Sequence, residues 1–498
     1  MSTKYITERE MLKHVGEFGK YQRLLDVIFC IMVIPQSYQE LIMYFGTLIP
    51  SWKCVANNTI CTSNDVMTYE DKSRCPMPRD SWTYTENNQF SIVTEFDNYC
   101  NSEWQIHLAS SISFISWAFG AVVLGWVTDK FGRRKVLLPS VAIILIVGLI
   151  TAFLPNVYLI ILARFIVGFF GTGTTLQEFI LLSEFVGDKY RAFAGTIIWV
   201  FYSISLAALA IKANFTRNWR TLFIVCTAPY VFTFIFFKFI PESLRWLKLN
   251  GKKEEIKKSF QNVAKWNRTR IPNNTFIVMN SEADELKSSY KNLFSSPKLA
   301  LNSVIQGYAW FVNGLIFYGI SFAADDLGGS VYVNFVILVA ADLPGTIISI
   351  YSCNTFGRKK TVILAMLVSC IACFGIAFVE DTGISSTRTA KVACGFFGKL
   401  FIMISYVSCY TWSVEIFDTA VRGKGMGYLQ VLQRFGAAAS PWVLKGLKPV
   451  NHRLPFIAFG VLGMVCVTLL FVLPETKEKK RVIAKKENIF VMFKNRNT

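Results

Sequence analysis

The sequence predicts an all-α membrane protein with twelve transmembrane helices in two six-helix halves, and three observations support this prediction. Hydrophobic residues make up 53% of the 498 residues and the mean hydropathy is +0.39, which exceeds what a soluble core requires. Twelve apolar stretches come near the length of about 20 residues that crosses a bilayer as a helix. Three polar motifs recur in the same order, which indicates two copies of one solute-conducting unit.

The predicted spans fall into two groups of six. The first half, residues 24–240, contains spans at 24–48, 108–128, 136–154, 158–182, 193–211 and 219–239. The second half, residues 299–474, contains spans at 301–323, 331–353, 361–378, 392–410, 427–444 and 455–473.

Basic residues predict the orientation, because Lys and Arg of short loops stay on the cytosolic side of a membrane. They collect at 130–135, 248–258, 358–360 and 477–486, which share one side if the spans alternate. The N-terminal segment 1–23 and the basic tail 475–498 lie on that side too, so both termini are predicted to be cytosolic. The net charge of +19 follows from this bias and indicates no nucleic-acid partner.

Two long connections interrupt the pattern of short loops. Residues 50–106 form a predicted extracellular loop with an even set of cysteines, Cys54, Cys61, Cys75 and Cys100. We expect two disulfides there, with three connectivities open, and a glycan at Asn57 in the sequon 57–59. Residues 241–298 form a cytosolic linker, in which the patterns at 254–266 and 282–293 predict short helices that serve as a linker or as a clasp.

The repeated motifs predict a gate. The first copy comprises Gly125, Asp129, Lys130, Gly132, Arg133, Arg134 and Lys135, then Glu184, Asp188 and Arg191, then Pro241, Glu242 and Ser243. The second copy comprises Gly357, Arg358, Lys359 and Lys360, then Glu415, Asp418 and Arg422, then Pro474, Glu475 and Thr476. Asp129 at a helix end can pair with Arg191 and close the gate, and this pair must break when the halves move. The second copy has Asn354 in place of this Asp, so the two latches are expected to be unequal.

Several further segments are similar to one transporter family, the organic ion transporters of solute carrier family 22 within the major facilitator superfamily. They are Gly16, Glu17, Phe18, Gly19, Tyr21 and Gln22; Thr94, Glu95, Phe96, Asp97, Cys100 and Trp104; Glu184, Phe185, Val186 and Gly187; Pro241, Glu242, Ser243, Arg245, Trp246 and Leu247; and Trp310, Phe311, Val312 and Asn313. The resemblance implies the major facilitator fold and a polyspecific carrier of amphiphilic organic ions that works by alternating access at the plasma membrane.

The resemblance also implies a substrate cavity lined by Tyr202, Trp310, Phe317, Tyr318 and Tyr410. Aromatic walls suit polyspecific binding, because flat rings accept both apolar groups and cations. Periodicity alone is equally compatible with core packing of the same side chains.

Charged residues inside the spans bear on the sign of the substrate charge. Arg434 and Asp342 lie about halfway along spans eleven and eight, where each either meets a charged solute or fixes packing as an ion pair. In the family that the chain resembles, the position of Arg434 is basic in anion and carnitine-type carriers, which favours organic anions or zwitterions. Thr346, where anion carriers have a lysine, and the buried acids Glu40 and Glu178 favour the alternative, an organic cation transporter.

Neither enzyme chemistry nor a cofactor is predicted. The three histidines are isolated, no His or Cys spacing fits a metal site, and no Gly-rich phosphate loop occurs. The predicted partners are therefore the small organic ion and the lipid bilayer. Two alternatives stay open: a transporter-like receptor or vesicle glycoprotein that does not transport, and a sugar transporter. The sequence leaves the substrate, the coupling mode and the oligomeric state undetermined.

Overall fold

The computed structural model describes residues 4–6, 8–55, 67, 72–271, 275–277, 290–379, 385–418 and 421–476. The chain divides into two compact units, Met1–Asp284 and Glu285–Thr498. The first unit therefore includes most of the segment that the sequence suggested as a linker.

Six membrane-length segments form the body of the first unit. They are α2 (Lys20–Gly46), α4 (Glu103–Phe131), α5 (Arg133–Thr151), α6 (Val157–Phe185), α7 (Asp188–Thr216) and a sixth segment made of α8 (Trp219–Thr227), a 3-10 turn at Ala228–Tyr230, α9 (Val231–Phe236) and a 3-10 turn at Phe237–Phe239. Pro229 lacks a backbone N–H, which explains the change from α to 3-10 geometry at that point.

Smaller elements cover both ends of this unit. One end carries β1 (Lys4–Ile6), α1 (Glu8–Val15), α10 (Leu244–Leu249), α11 (Lys253–Asn267) and β4 (Thr275–Ile277). β1 pairs with β4 in parallel. The 50–106 loop carries the antiparallel pair β2 (Trp52–Cys54) and β3 (Trp82–Tyr84) and the helix α3 (Ile92–Phe96).

Asn267 fixes the start of α2 against the end of α11. Its Oδ1 accepts a hydrogen bond from Tyr21 N at 2.9 Å, and its Nδ2 donates to Val15 O at 2.8 Å and to Gln22 Oε1 at 3.0 Å. These bonds satisfy backbone groups that would otherwise lack partners at a helix entry.

Among the described residues of the second unit, the 3-10 segment Tyr290–Phe294 comes first and seven α-helices follow. These are α12 (Pro297–Phe322), α13 (Val331–Ala340), α14 (Asp342–Thr355), α15 (Arg358–Phe378), α16 (Ser385–Ile416), α17 (Arg422–Leu447) and α18 (Leu454–Leu470). α13 and α14 together make the eighth span, and Pro344 in the first turn of α14 removes a helical hydrogen bond at the junction.

Within the described residues, nine helical segments are long and apolar enough to cross a membrane. α12, α17 and the 17-residue α18 correspond to the remaining three predicted spans. The prediction of an all-α membrane protein with two sets of six spans is therefore confirmed.

Candidate functional site

The three repeated motifs meet in space within the first unit. The Arg133 guanidinium contacts the Glu184 carboxylate and donates to Ser243 Oγ at 3.0 Å. The Ser243 hydroxyl in turn donates to Glu184 Oε2 at 2.7 Å. Arg133, Glu184, Glu242 and Ser243 form what we call the first charge cluster.

Glu242 in this cluster caps the start of α5. Its Oε1 accepts hydrogen bonds from the backbone N–H groups of Arg133 and Arg134 at 2.8 and 3.0 Å. A carboxylate is favourable there because the first N–H groups of a helix lack partners and carry partial positive charge. Gly132 makes this approach possible: its φ is +104°, and a Cβ at this position would lie 2.6 Å from Glu242 Oε2.

The second unit contains the same arrangement, the second charge cluster of Arg358, Glu415, Glu475 and Thr476. Arg358 Nη2 lies 3.1 Å from Glu415 Oε1, and Thr476 Oγ1 donates to Glu415 Oε2 at 2.6 Å. Glu475 accepts from the N–H groups of Arg358 and Lys359 at 3.1 and 3.2 Å. Gly357 has a φ of +102°, and its added Cβ would again lie 2.6 Å from the capping carboxylate. The repeat in the sequence thus specifies one local structure, built twice.

The other predicted gating residues lie near these clusters. Asp129 is exposed, and its backbone oxygen accepts a hydrogen bond from Trp246 Nε1 at 3.1 Å. Arg191 Nε donates to Ser183 O at 2.9 Å, and Arg422 Nε donates to Phe417 O at 3.4 Å. The Asp129–Arg191 latch stays a prediction.

Four of the predicted cavity residues come together in the second unit. A fifth aromatic residue, Tyr406, which was not predicted, lies with them. The Trp310 ring lies 5.9 Å from the Tyr406 ring and 5.7 Å from the Tyr410 ring, between centroids. Phe317 stacks on Tyr406 at 5.9 Å and meets Tyr318 edge-on at 5.1 Å. These five rings are the aromatic cluster. Sequence reasoning missed Tyr406, although it lies one helical turn before Tyr410 on α16.

Arg434 reaches the aromatic cluster from α17. Its Nη1 donates to the Tyr318 hydroxyl at 3.1 Å, and the side chain is half-buried. The Trp310 indole N–H donates a hydrogen bond to Ser413 Oγ at 2.9 Å. The Ser413 hydroxyl in turn donates to Gln306 Oε1 at 2.8 Å. The cluster therefore combines apolar rings, a fixed hydroxyl and one guanidinium.

The sequence left two roles open for Asp342, contact with a charged solute or an ion pair that fixes packing. In the structure Lys399 Nζ lies 3.8 Å from Asp342 Oδ1, with both side chains buried. Lys399 Nζ also donates to Phe317 O at 3.1 Å and to Ser321 Oγ at 2.7 Å. A nearby cation compensates the charge of a buried carboxylate, and the neighbouring helix α16 provides one for Asp342.

The fifth predicted cavity residue, Tyr202, belongs to the first unit, where its hydroxyl donates to Glu40 Oε2 at 2.8 Å. It also contains a buried charge that sequence reasoning missed. Arg164 donates from Nη1 to Gln39 Oε1 at 2.7 Å and from Nε to Ser113 Oγ at 3.2 Å, and its Nη2 contacts Gln39 O. An arginine inside an apolar span was the signal that could have revealed it.

The 50–106 loop is a small structure of its own. A Cys75–Cys100 disulfide closes it, and Cys54 is also disulfide-bonded, whereas Cys61 and Asn57 lie outside the described residues. The buried Arg74 guanidinium lies 5.4 Å from the Trp82 ring and 5.8 Å from the Tyr84 ring.

Burial raises the pKa of Tyr84 to about 12, against the opposing effect of Arg74. The phenol therefore stays neutral in the physiological range.

Beyond the last turn of α12, two acids are tied to α17. Lys445 Nζ lies 3.1 Å from Asp325 Oδ2, and Lys448 contacts Asp326. Burial opposes ionisation of Asp325, but the two lysines lower its pKa below the usual value. Burial, and then the charge of Asp325, raise the pKa of Asp326. These pairs fasten the ends of two helices that also pack along their length.

Two related six-span units, each with the same charge cluster at one end and one with an aromatic cluster and a guanidinium, are the features of a membrane carrier of the major facilitator class. Residues 40–482 match the family model described as sugar (and other) transporter. The chain belongs to that family, so it is a transporter and not an enzyme.

Curated relatives align over most of the chain. An organic cation transporter protein of Drosophila melanogaster is 29% identical, with 94% of this chain and 92% of the relative covered. An organic cation/carnitine transporter 4 of Arabidopsis thaliana is 29% identical, covering 94% and 89%. Solute carrier family 22 member 3 of Mus musculus is 28% identical, covering 80% and 71%. The predicted resemblance to solute carrier family 22 is thereby confirmed.

Solved structures support the fold. The inward-open xylose transporter XylE from E. coli superimposes with a TM-score of 0.65 at 15% identity, over 92% of this chain and 97% of that one. The predicted twelve-helix major facilitator fold is confirmed.

Proposed function

We propose that this protein carries small amphiphilic organic anions or zwitterions across the plasma membrane by alternating access, with both termini in the cytosol and a glycan at Asn57. The observation that carries the proposal is the guanidinium of Arg434 at the aromatic cluster. An arginine can bind a carboxylate through two parallel hydrogen bonds, while the rings accept the apolar body of the same solute.

The Asp342–Lys399 pair supports this choice of charge. Because Lys399 compensates Asp342, Arg434 is not required to neutralise that acid. The Tyr318 hydroxyl orients the guanidinium and can accept or donate a further hydrogen bond to a solute. A zwitterion of the carnitine type would use Arg434 for its carboxylate and ring faces for its ammonium group.

An organic cation is the second candidate, and two observations favour it. The relatives are named as organic cation or cation/carnitine transporters. In the first unit, the Glu40 carboxylate beside the Tyr202 hydroxyl is an acidic group that a cation could use.

Uptake by purified protein in lipid vesicles tests the proposal. The probes are a naphthalenesulfonate, tetraethylammonium and L-carnitine, whose charges stay constant near neutral pH. We expect saturable uptake of the sulfonate or of carnitine that exceeds that of tetraethylammonium. Uptake of tetraethylammonium alone would establish the cation alternative. No uptake of any probe by correctly folded protein would contradict both candidates and favour a non-transporting role.

A further inference from the structure

Two buried acids in the first unit have oxygen atoms that accept no hydrogen bond. Asp26 on α2 is 4% exposed and Glu178 on α6 is 3% exposed. The Oδ1 of Asp26 and the Oε1 of Glu178 are both buried without a hydrogen-bond partner. Both residues lie inside predicted spans, where a charged side chain is costly. The oxygens of Asp342 also accept no hydrogen bond, but Lys399 Nζ lies 3.8 Å from its Oδ1.

A thiol and a phenol lie within electrostatic range of Glu178. Glu178 interacts electrostatically with the Cys30 thiol on α2 and with the Tyr230 phenol in the turn of the sixth span. Cys30 also interacts with Asp26, which lies one helical turn before it on α2. Cys30 therefore lies within electrostatic range of both acids, Asp26 on its own helix and Glu178 on α6.

The arginine on the same helix cannot serve Glu178. Arg164 precedes it by fourteen residues, which separates the two by about 21 Å along the axis of α6. Its guanidinium is already committed to Gln39 and Ser113. Arg164 interacts with Tyr230, so the phenol lies within electrostatic range of both Arg164 and Glu178.

Burial without a cation favours the neutral, protonated form of a carboxyl group, because transfer of the charged form from water into a low-dielectric interior costs several kcal/mol. Such a group binds a proton when it is buried and releases it when it meets water. In a carrier, exposure to water alternates with the transport cycle, so proton binding becomes linked to substrate movement.

We propose that Glu178 is a proton-binding site, with Asp26 as the relay toward the end of the unit that carries the N-terminus, and that it couples transport to a proton. The step is balanced: one carboxylate takes up one proton on one side of the membrane and returns it on the other. The proposal rests on the proposed transport function and names its coupling ion.

The experiment compares vesicles with and without a pH gradient of about one unit, which can drive up to about tenfold accumulation per coupled proton. The membrane potential is held at zero with potassium and valinomycin, and the probes are the naphthalenesulfonate, tetraethylammonium and L-carnitine. When the gradient is imposed with the outside more acidic, uptake by the unmodified protein should become several-fold faster if proton and probe move in the same direction. It should become several-fold slower if they move in opposite directions. In Glu178→Gln the gradient effect should disappear, while exchange of labelled for unlabelled probe at equal pH continues.

Asp80→Asn is the matched control, since it makes the same acid-to-amide change at an exposed residue of the 50–106 loop. It should retain the gradient response. Asp26→Asn should slow the response without abolishing exchange. Uptake that ignores the gradient in the unmodified protein, or a full gradient response in Glu178→Gln, would overturn the proposal and leave the transport function intact.

If no probe is transported, an infrared measurement still tests whether Glu178 binds a proton. The difference spectrum between the unmodified protein and Glu178→Gln should contain a protonated-carboxyl band at neutral pH, which depends on the proton and not on a substrate. Absence of that band would refute the proton site, and its presence without uptake would refute only the proposed transport function.

Discussion

Arg434 Nη1 donates a hydrogen bond to the Tyr318 hydroxyl at 3.1 Å, which anchors the guanidinium of α17 to α12 at the aromatic cluster. This geometry leads to the first prediction. Arg434→Asp should remove the charge-assisted bond to a substrate carboxylate, which is worth about 1.5–3 kcal/mol and corresponds to about tenfold to hundredfold weaker binding. Uptake of the naphthalenesulfonate should collapse, as measured by initial rates in vesicles.

Arg434→Lys is the control for this change, because it retains the positive charge but loses the two-pronged geometry. We expect it to retain part of the anion uptake. Tetraethylammonium should be carried no worse by Arg434→Asp. Unchanged anion affinity in a correctly folded Arg434→Asp protein would show that this arginine is structural.

The second prediction concerns the Lys399–Asp342 pair. Lys399→Met should leave Asp342 buried without its cation and destabilise the second unit by about 3–5 kcal/mol. The thermal unfolding temperature in detergent should fall clearly, together with the amount of protein at the cell surface. The double variant Lys399→Met, Asp342→Asn should recover most of the loss. If the double variant is no more stable than the single one, the pair does not interact as the geometry implies.

The third prediction tests the capping carboxylates of the two charge clusters. Glu242→Ala and Glu475→Ala should each cost about 0.5–2 kcal/mol, because each leaves N–H groups at a helix start without an acceptor. Unfolding of each variant can be followed by the intrinsic fluorescence of the tryptophans. Glu255→Ala is the comparison: it removes an exposed ion pair with Lys252 in the first turn of α11, which is worth at most about 1 kcal/mol, and it caps no backbone N–H of α5 or α15. Equal melting temperatures for all three variants would contradict the assigned role.

The fourth prediction concerns the gate. Asp129→Asn should lower uptake while surface delivery and melting temperature stay near normal, because the side chain is exposed at a helix end. Surface biotinylation measures delivery alongside transport. Normal uptake at normal surface density would exclude Asp129 from gating.

The fifth prediction concerns the disulfide that closes the 50–106 loop. Cys75→Ser should destabilise this loop by about 2–4 kcal/mol, since an open loop gains conformational entropy when it unfolds. Protease digestion of intact cells should then cut the loop faster than in the unmodified protein. Mass spectrometry without reduction should find none of the four loop cysteines as a free thiol. Two or more free thiols would contradict the predicted pair of bridges.

The sequence was sufficient to predict the spans, because a run of about 20 apolar residues has few alternatives to a membrane helix. The predicted span 219–239 coincides with the observed segment from Trp219 to Phe239, and 331–353 corresponds closely to α13 with α14. The division of span eight at Ala341 was not predicted, although Pro344 offered a local signal.

Contacts between helices were harder to predict, because a sequence gives the depth of a residue in a span but not the rotation of its helix. Asp342 and Arg434 were both predicted to be charges at mid-span, and the structure adds Lys399 as the cation beside the acid. The repeated motifs were an exception. Gly132, Glu184 and Glu242 come from three motifs that recur together in the sequence. In the structure these motifs meet at the first charge cluster, which explains why they recur together.

The hydrogen bond from Tyr21 to Asn267 joins residues 246 positions apart in the chain. During synthesis on the ribosome, the backbone N–H of Tyr21 at the start of α2 therefore lacks its final partner until the six spans of the first unit and α11 have been translated. The start of α2, the earliest membrane helix to be made, therefore gains this bond only after the other spans of its unit have been made. A truncation or translational pause before residue 267 should yield a chain whose spans are inserted but whose N-terminal segment is still open to proteases.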